Sequence, residues 1–449
     1  MRTFEFLEDK NIVILGFGKQ GKATYKYIRK HFPDKKLTIA DKNNEIDESI
    51  LDKNVSLILG ENYLEDISKF DLIIKAPGVV LKDEETSLFE DKIITDYEML
   101  LKFTPGIKIG ITGTKGKSTT STVMYNVLKE QGKKVFLLGN IGNPILDSID
   151  EITEDSYCVI EISSHTLEFA KVSPDISILL DIYPEHLDHV NSLDDYIKAK
   201  FNIAINQSKD AKFIYNAENE LMKSYGYKYR EDDIAVFFKT CEDLNNKNKV
   251  YLKENGIYFN NEFLMNADEP RKIKGNHTLN NMMFILAASQ ILGLDLEKTV
   301  QTIKNTEPLE HRMEYVGKFD GIYFYNDAIA TIPVATINCI ETIGNVNTLI
   351  CGGMDRGVPQ NDLIEFLKKS EVKNIICMPE TGNKVYDGLK KFKSCYKTET
   401  VEEAVKISKK VTKKEKSVVL SPAASSYNNF KNFEEKGKLY KKCVSNIML

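Results

Sequence analysis

The sequence has 449 residues, of which 42% are hydrophobic and 28% are charged, and its formal net charge is -5. At roughly 150 residues per domain, this length predicts about three globular domains. The small negative charge provides no basic field, so we expect neither nucleic acid nor an anionic membrane surface as a partner.

The seven cysteines are odd in number, widely spaced and never form a C-x-x-C pair. This pattern supports neither a disulfide framework nor a zinc ribbon and is typical of a reducing compartment. The N-terminal residues lack the basic and apolar regions of a signal peptide, and no apolar stretch approaches the roughly 20 residues that cross a bilayer. We therefore expect a cytoplasmic protein that is not inserted into a membrane.

The first motif is a glycine loop after an apolar strand. Residues 12–21 read IVILGFGKQG, and a helical stretch, KATYKYIRK, follows. Gly16, Gly18 and Gly21 form the G-x-G-x-x-G of a dinucleotide-binding turn, and Asp41 stands 20 residues after Gly21, where an acid that binds ribose is expected. Taken alone, the loop is typical of an NAD-dependent oxidoreductase, in which such a turn binds the diphosphate of the cofactor.

Short apolar strands alternate with amphipathic stretches along the whole chain. This rhythm predicts an α/β protein with parallel, doubly wound sheets, whose ligand sites lie beyond the carboxyl ends of the strands. Residues 221–262 interrupt the rhythm with an antiparallel excursion around an ENG turn. Breaks at KFTPG (102–106) and NTEPLEHR (305–312) predict three domains, at 1–102, 103–306 and 307–449.

A second phosphate loop follows the strand that opens the middle domain. Residues 107–121 read IKIGITGTKGKSTTS, which gives a G-T-x-G-K-S turn from Gly113 to Ser118 and then a helix that runs towards Gln131. Such a loop aims backbone N–H groups and a helix N-terminus at phosphate oxygens, while Lys117 contacts the phosphates and Ser118 contacts Mg²⁺. The chemistry it predicts is binding of a nucleoside triphosphate.

Polar side chains follow the neighbouring strands. Glu161 ends the strand in YCVIEIS (157–163), before Ile162 and Ser163, and His186 follows the strand ISILLDI, so both are expected near a metal held at Ser118. The H-E-x-x-H pattern of a zinc site is absent. Ser192 begins a capping-box pattern and predicts a helix that places Lys200 about two turns in, where sequence alone predicts a solvated surface lysine.

These motifs occur in the order seen in the Mur ligases, which the chain resembles over essentially its whole length. The tail segments SPAASS (421–426) and FKNF (430–433) resemble most the branch, MurD, that adds D-glutamate to UDP-N-acetylmuramoyl-L-alanine. The other matching segments are residues 113–118, 138–142, 161–164, 185–188, 196–200, 311–312, 326–327 and 352–357.

The resemblance implies a Rossmann-like N-terminal domain for the UDP-sugar, a central P-loop ATPase-type domain and a Rossmann-like C-terminal domain for the amino acid. It implies ATP, two Mg²⁺ sites and an acyl-phosphate intermediate in the synthesis of a peptidoglycan precursor. The implied partners are the small-molecule substrates UDP-MurNAc-L-Ala and D-glutamate, and we expect a monomer.

The resemblance also implies roles for individual residues. Lys117, Glu161, His186 and Lys200 would be catalytic, and Ser118, Glu161, His186 and a carbamylated Lys200 would serve the metals. ATP contacts would come from Gly113, Thr114, Lys115, Gly116, Lys117, Ser118, Thr119, Asn281, Arg312 and Asp327. The UDP-sugar would contact Gly16, Gly18, Lys19, Gln20, Gly21, Asp41, Lys42, Pro77, Gly78, Asn140 and Ser163. The acceptor would contact Thr331, Arg356, Ser426 and Phe433.

Some positions depart from the family pattern. Ile329 stands where many members of the MurD branch have a lysine, so one cationic contact to the acceptor is missing. The alternatives are a sister ligase with another acceptor, such as another Mur ligase or a folylpolyglutamate synthase, and a nucleotide switch without catalysis. The oxidoreductase alternative leaves the second phosphate loop without a use.

Overall fold

The computed structural model describes residues 2–81, 86, 88–183, 192–238, 247–273 and 275–446. The chain packs into two compact units, Met1–Lys272 with Asn276–Thr306, and Ile273–Gly275 with Glu307–Leu449. Together they contain three sheets, so the predicted α/β class with mostly parallel strands is confirmed. The first unit contains two of the sheets, and the domain boundaries expected from the sequence stay predictions.

The first sheet of the first unit has five parallel strands in the order β3-β2-β1-β4-β5. Strand β1 is buried at every residue because helices and loops cover both faces of the sheet. The strands are β1 (Ile12–Leu15), β2 (Leu37–Asp41), β3 (Val55–Leu59), β4 (Leu72–Lys75) and β5 (Ile93–Ile94). The helices are α1 (Thr3–Leu7), α2 (Lys19–His31) and α3 (Asp96–Phe103), with 3-10 turns at Glu48–Ile50, Ile67–Lys69 and Glu90–Lys92.

The second sheet has nine strands in the order β14-β13-β12-β11-β10-β9-β6-β8-β7, and only the pairs made by β13 are antiparallel. The excursion predicted around the ENG turn is confirmed as β12 and β13, and β14 extends it. The strands are β6 (Ile107–Thr112), β7 (Lys134–Gly139), β8 (Ser156–Glu161), β9 (Ile176–Leu179), β10 (Lys212–Asn216), β11 (Ile234–Phe237), β12 (Asn248–Lys253), β13 (Gly256–Phe259) and β14 (Glu262–Asn266). The helices are α4 (Lys117–Glu130), α5 (Ile145–Ser148), α6 (Ser164–Leu167), α7 (Leu193–Ile205), α8 (Glu220–Ser224), α9 (Asn276–Ile291) and α10 (Leu296–Asn305), with a 3-10 turn at Ile149–Glu151.

The second unit is built on a six-stranded sheet in the order β15-β16-β20-β17-β18-β19, antiparallel only between β15 and β16. Its strands are β15 (Glu314–Phe319), β16 (Ile322–Asn326), β17 (Val346–Cys351), β18 (Asn374–Cys377), β19 (Ser394–Lys397) and β20 (Ser417–Leu420). The helices are α11 (Pro333–Ile343), α12 (Asn361–Lys369), α13 (Thr381–Leu389), α14 (Val401–Val411) and α15 (Phe433–Asn446). Two apolar clusters, one on each face, form the core of this unit.

In each of the three sheets, some of the predicted functional residues follow the carboxyl ends of parallel strands. The glycine loop follows β1, the phosphate loop follows β6, and Asp327 follows β16. Strand ends in a parallel sheet bring such residues to one edge, which is where ligands bind in open α/β sheets. Within the described residues, no helix combines the length and the apolar character that a bilayer span needs.

Candidate functional site

The phosphate loop joins β6 to α4 through a backbone that only glycine adopts easily at Gly116. Its φ is +84°, and a Cβ there would lie 2.7 Å from both terminal atoms of the buried Asn281 amide. Asn281 comes from helix α9, more than 160 residues later in the chain. The structure thus packs Asn281, a predicted ATP contact, directly against the predicted phosphate loop.

Two lysine side chains converge on one carbonyl of this loop. The Lys117 ammonium donates hydrogen bonds to the carbonyl oxygens of Gly113, at 2.9 Å, and Thr114, at 3.0 Å. The Lys200 ammonium donates to the same Gly113 oxygen at 3.0 Å and lies 4.6 Å from the centre of the Tyr196 ring. Lys200 is only 1% exposed, so the solvated surface lysine expected from sequence alone is wrong. Helix α7 turns that side chain onto the loop.

Thr114 ties the loop to the neighbouring strand. Its N–H donates to the Asp181 carbonyl at 2.7 Å, and its hydroxyl accepts from the Tyr183 N–H at 3.0 Å and contacts the Tyr196 hydroxyl at 3.0 Å. Because its amide and hydroxyl both bond to protein atoms, Thr114 contributes here to the shape of the loop. Its expected contact with ATP stays a prediction.

Glu161 lies at the same edge of the sheet as the phosphate loop. It is buried, ends β8 and is in register with Ile111 of β6, the strand that leads into the loop. Its backbone oxygen accepts from the Asn140 N–H at 3.1 Å. Ser118 is half-buried in the first turn of α4. His186, the third expected metal ligand, lies outside the described residues.

The first glycine loop is closed by Asp41. Its two carboxylate oxygens accept from the Phe17 N–H at 2.6 Å and from the Asn43 N–H at 2.8 Å. A Cβ at Gly21 would lie 2.0 Å from the Gly16 carbonyl oxygen, so helix α2 packs on the loop only with glycine there. Asp41 therefore organises the loop, and its expected contact with the UDP-sugar stays a prediction.

A small cavity of about 10 Å³, the size of one water, lies between this loop and the second sheet. Ser163 directly follows Ile162, which lines the cavity, and it caps α6, where its hydroxyl accepts from the Thr166 N–H at 3.2 Å. Burial raises the pKa of Asp96, which lines the cavity, to about 6. The cavity brings together the predicted residues Gln20, Pro77, Asn140 and Glu161, and also Asp96 and Thr166, which the sequence reasoning missed.

The remaining predicted contacts to the UDP-sugar lie around this loop. The Lys19 ammonium is 3.5 Å from the Gly142 carbonyl oxygen, and Lys42 and Gly78 are exposed. Gly18 has no atom within 4 Å of a Cβ built on it, so the open side of the turn is at this residue.

In the second unit, Asp327 is buried at the end of β16. Its carboxylate accepts from the Ser421 hydroxyl at 2.8 Å and from the Met313 N–H at 3.1 Å, and burial raises its pKa to about 6. Arg312 is half-buried and supports the charged form of this carboxylate. Both expected nucleotide contacts of this unit therefore share one local cluster.

The four expected acceptor contacts follow three different strands of the second unit. Thr331 and Arg356 are exposed, beyond β16 and β17. Ser426 is buried beyond β20, and its hydroxyl has no hydrogen-bond partner among the described residues. The Phe433 ring meets His311 edge-on, with ring centres 6.1 Å apart.

Comparison with known proteins identifies a family. Residues 111–289 match the model of the Mur ligase middle domain. The UDP-N-acetylmuramoylalanine--D-glutamate ligase of Clostridium kluyveri is 31% identical over 467 residues, which cover 99% of this chain and 98% of that protein. The enzyme of the same name from Clostridioides difficile is 31% identical over 458 residues, which cover 98% of this chain and 99% of that protein.

Solved structures share the fold. The UDP-N-acetylmuramate-alanine ligase MurC of Thermotoga maritima matches with a TM-score of 0.63 at 18% identity, over 98% of this chain and 100% of that one. The MurF ligase of the same organism, in complex with ADP, matches with a TM-score of 0.58 at 17% identity, over 99% and 97%. With near-complete coverage at 31% identity, the chain belongs to the UDP-N-acetylmuramoylalanine--D-glutamate ligase family.

Proposed function

We propose that this protein uses ATP to join D-glutamate to UDP-N-acetylmuramoyl-L-alanine in peptidoglycan precursor synthesis. The observation that carries the proposal is the match, along 99% of the chain, to ligases of that name. The phosphate loop with Lys117, Lys200 and Asn281 packed around it supports the use of ATP. We further propose a monomer that works in the cytoplasm.

In the proposed reaction, the alanyl carboxylate attacks the γ-phosphorus of ATP, and ADP leaves. The amine of D-glutamate then attacks the resulting acyl phosphate, loses a proton and expels inorganic phosphate. Charge spreads over the transferring phosphoryl oxygens, so catalysis is mostly positioning and electrostatic stabilisation. The Lys117 ammonium, which contacts the loop, would provide positive charge for these oxygens, and the N-terminus of α4 would provide backbone N–H groups.

The residues present fit Mg²⁺. A hydroxyl at Ser118 and a buried carboxylate at Glu161 are hard oxygen donors at one edge of the sheet, and His186 is the further expected ligand. Bound there, the metal would neutralise phosphate charge. We propose that these residues hold it at two sites.

The surroundings of Lys200 fit a carbamate. An ammonium that is 1% exposed is costly, and carbamylation by CO₂ would convert it into an anion that can assist Mg²⁺ while keeping one N–H for the Gly113 oxygen. We expect Lys200→Ala to lose most turnover, with ATP binding kept and part of the activity restored by a small carboxylate. A carbamate carbon signal after ¹³C-bicarbonate labelling, absent in Lys200→Ala, tests the modification independently of activity.

The proposal is tested by ADP release from the full-length protein with ATP, Mg²⁺ and UDP-MurNAc-L-Ala. We expect D-glutamate to stimulate release and L-glutamate or an amino acid without a side-chain carboxylate to fail. Tighter binding of NADH than of the UDP-sugar, or ATP binding without acceptor-dependent turnover, would overturn the proposal.

Arg356 is the proposed grip on the acceptor. A guanidinium holds a carboxylate with two parallel N–H bonds. Because Ile329 replaces a lysine that is common in the family, we expect Arg356 to contribute more of the selectivity for glutamate. We expect Arg356→Ala to raise the glutamate KM more than tenfold, about 1.4 kcal/mol, with the ATP KM nearly unchanged. An unchanged glutamate KM would remove Arg356 from the acceptor site.

A further inference from the structure

Lys436 is a buried cation that no role described so far uses. It lies in the first turn of α15 and is 1% exposed. Its ammonium donates to the Gly352 carbonyl oxygen at 2.8 Å and lies 5.9 Å from the centre of the Phe430 ring. Burial lowers its pKa to about 8. Keeping an ammonium out of water is costly, so the contact with Gly352 needs an explanation.

The turn after β17 leaves its backbone no freedom at the point that Lys436 touches. Gly352 has a φ of +113°, and a Cβ there would lie 2.1 Å from the Met378 carbonyl oxygen. A Cβ at Gly353 would lie 2.3 Å from the Ser425 oxygen. The turn is therefore wedged between the segments that follow β18 and β20, and the ammonium fixes the direction of the Gly352 carbonyl.

This turn connects two of the expected acceptor contacts. The Met354 N–H donates to the Ser425 carbonyl at 2.8 Å, directly before Ser426. Arg356 follows two residues after Met354. A rotation of the peptide at Gly352 would be passed to both.

We propose that Lys436 is a positioning residue for the amino-acid acceptor: its bond to the Gly352 carbonyl sets the 352–357 turn, and through it Arg356 and Ser426. The inference rests on the proposed function for the identity of the acceptor. The ammonium itself acts on the backbone and need not touch the acceptor.

The test compares Lys436→Met, which keeps the length of the side chain without a donor, with Lys436→Arg, which keeps a cationic donor. Lys393→Met is the matched control, because the Lys393 ammonium also donates to a backbone carbonyl, of Ser370 at 2.7 Å, but at the amino end of β19. The measurements are KM for D-glutamate and ATP, kcat, the melting temperature, and hydrogen exchange of a peptide covering 352–357.

We expect Lys436→Met to raise the glutamate KM at least fivefold, with kcat at saturating glutamate and the ATP KM within twofold of the parent protein. Exchange in 352–357 should quicken, while Lys436→Arg and Lys393→Met stay within threefold of the parent in KM. If the methionine variant does not fold, Lys436→Gln carries the same expectation.

An unchanged glutamate KM with unchanged exchange would overturn the proposal. An equal rise of the glutamate KM in Lys393→Met would also overturn it. So would a fall of kcat in Lys436→Met together with a rise of both the glutamate KM and the ATP KM. Should the parent protein lack glutamate-dependent turnover, the proposed function fails, and the hydrogen exchange still decides whether Lys436 holds the turn.

Discussion

Replacing Gly116 by alanine separates two demands that the phosphate loop makes on one residue. Gly116 and Gly132 lie just before and just after helix α4, and both have positive φ, +84° and +73°. A Cβ at Gly132 meets nothing within 4 Å, whereas one at Gly116 lies 2.7 Å from the Asn281 amide. Gly132→Ala should therefore lose stability through backbone strain alone, whereas Gly116→Ala also displaces the buried Asn281 side chain.

The expected magnitudes follow from these contacts. Left-handed backbone costs a residue with a Cβ about 1–2 kcal/mol, so both variants should lose that much stability. Overpacking adds about 1–3 kcal/mol at Gly116, because the Asn281 amide that the new Cβ meets is buried and has to move. Displacing Asn281, a predicted ATP contact, should also raise the ATP KM by at least tenfold, about 1.4 kcal/mol.

The assay is the melting temperature of each variant together with its ATP KM in the D-glutamate-dependent reaction. Gly116→Ala should have both a strongly lowered melting temperature and a raised ATP KM. Gly132→Ala should show the smaller loss of stability, with a normal ATP KM. Equal stability losses with an unchanged ATP KM in Gly116→Ala would refute the view that Asn281 and the loop form one binding surface.

Three further predictions concern stability. Gly21→Ala should destabilise by about 1–3 kcal/mol in thermal melts through its contact with Gly16, whereas Gly18→Ala, in open space, should change little; similar melting temperatures would contradict the packing argument. The raised pKa of Asp96 means that its stabilising effect is complete below pH about 4 and lost as pH rises through about 6, a change of about 3 kcal/mol. Asp96→Asn should lack that pH slope when denaturation is compared at pH 4 and 8, which span most of this window, and a retained slope would assign it to another group. Lys108→Met, which removes an ammonium bonded to three linker carbonyls, should cost about 2–3 kcal/mol, and a loss under 0.5 kcal/mol would show those bonds to be weak.

Much of the architecture could be predicted from sequence because the signals are local. The apolar strands before Gly16, Gly113 and Gly352 appear as β1, β6 and β17. The Ser192 cap predicted the start of α7, and its hydroxyl accepts from the Asp195 N–H at 3.1 Å. Strands with weaker apolar patterns are harder to predict: β3 is half-exposed along most of its length, and the ends of β19 are exposed.

Contacts between distant segments could not be predicted in the same way. Lys200 has the right place in a helix, but only packing decides whether that face meets solvent or the phosphate loop. Asp96 belongs to a capping box formed by Thr95 and Glu98, a pattern that marks the helix start without revealing the cavity beside it. Tertiary contacts between distant segments carry this information, and local propensity does not.

The antiparallel rim of the nine-stranded sheet offers a place to attach probes. The turn between β13 and β14 passes through Asn260, at φ +55°, and Asn261, which is exposed. Strand β13 is five strand spacings from β6, about 24 Å at roughly 4.8 Å each. A fluorophore or short tag inserted at this turn would therefore lie far from a nucleotide bound at the phosphate loop. The insertion would only lengthen the hairpin loop, which costs little free energy.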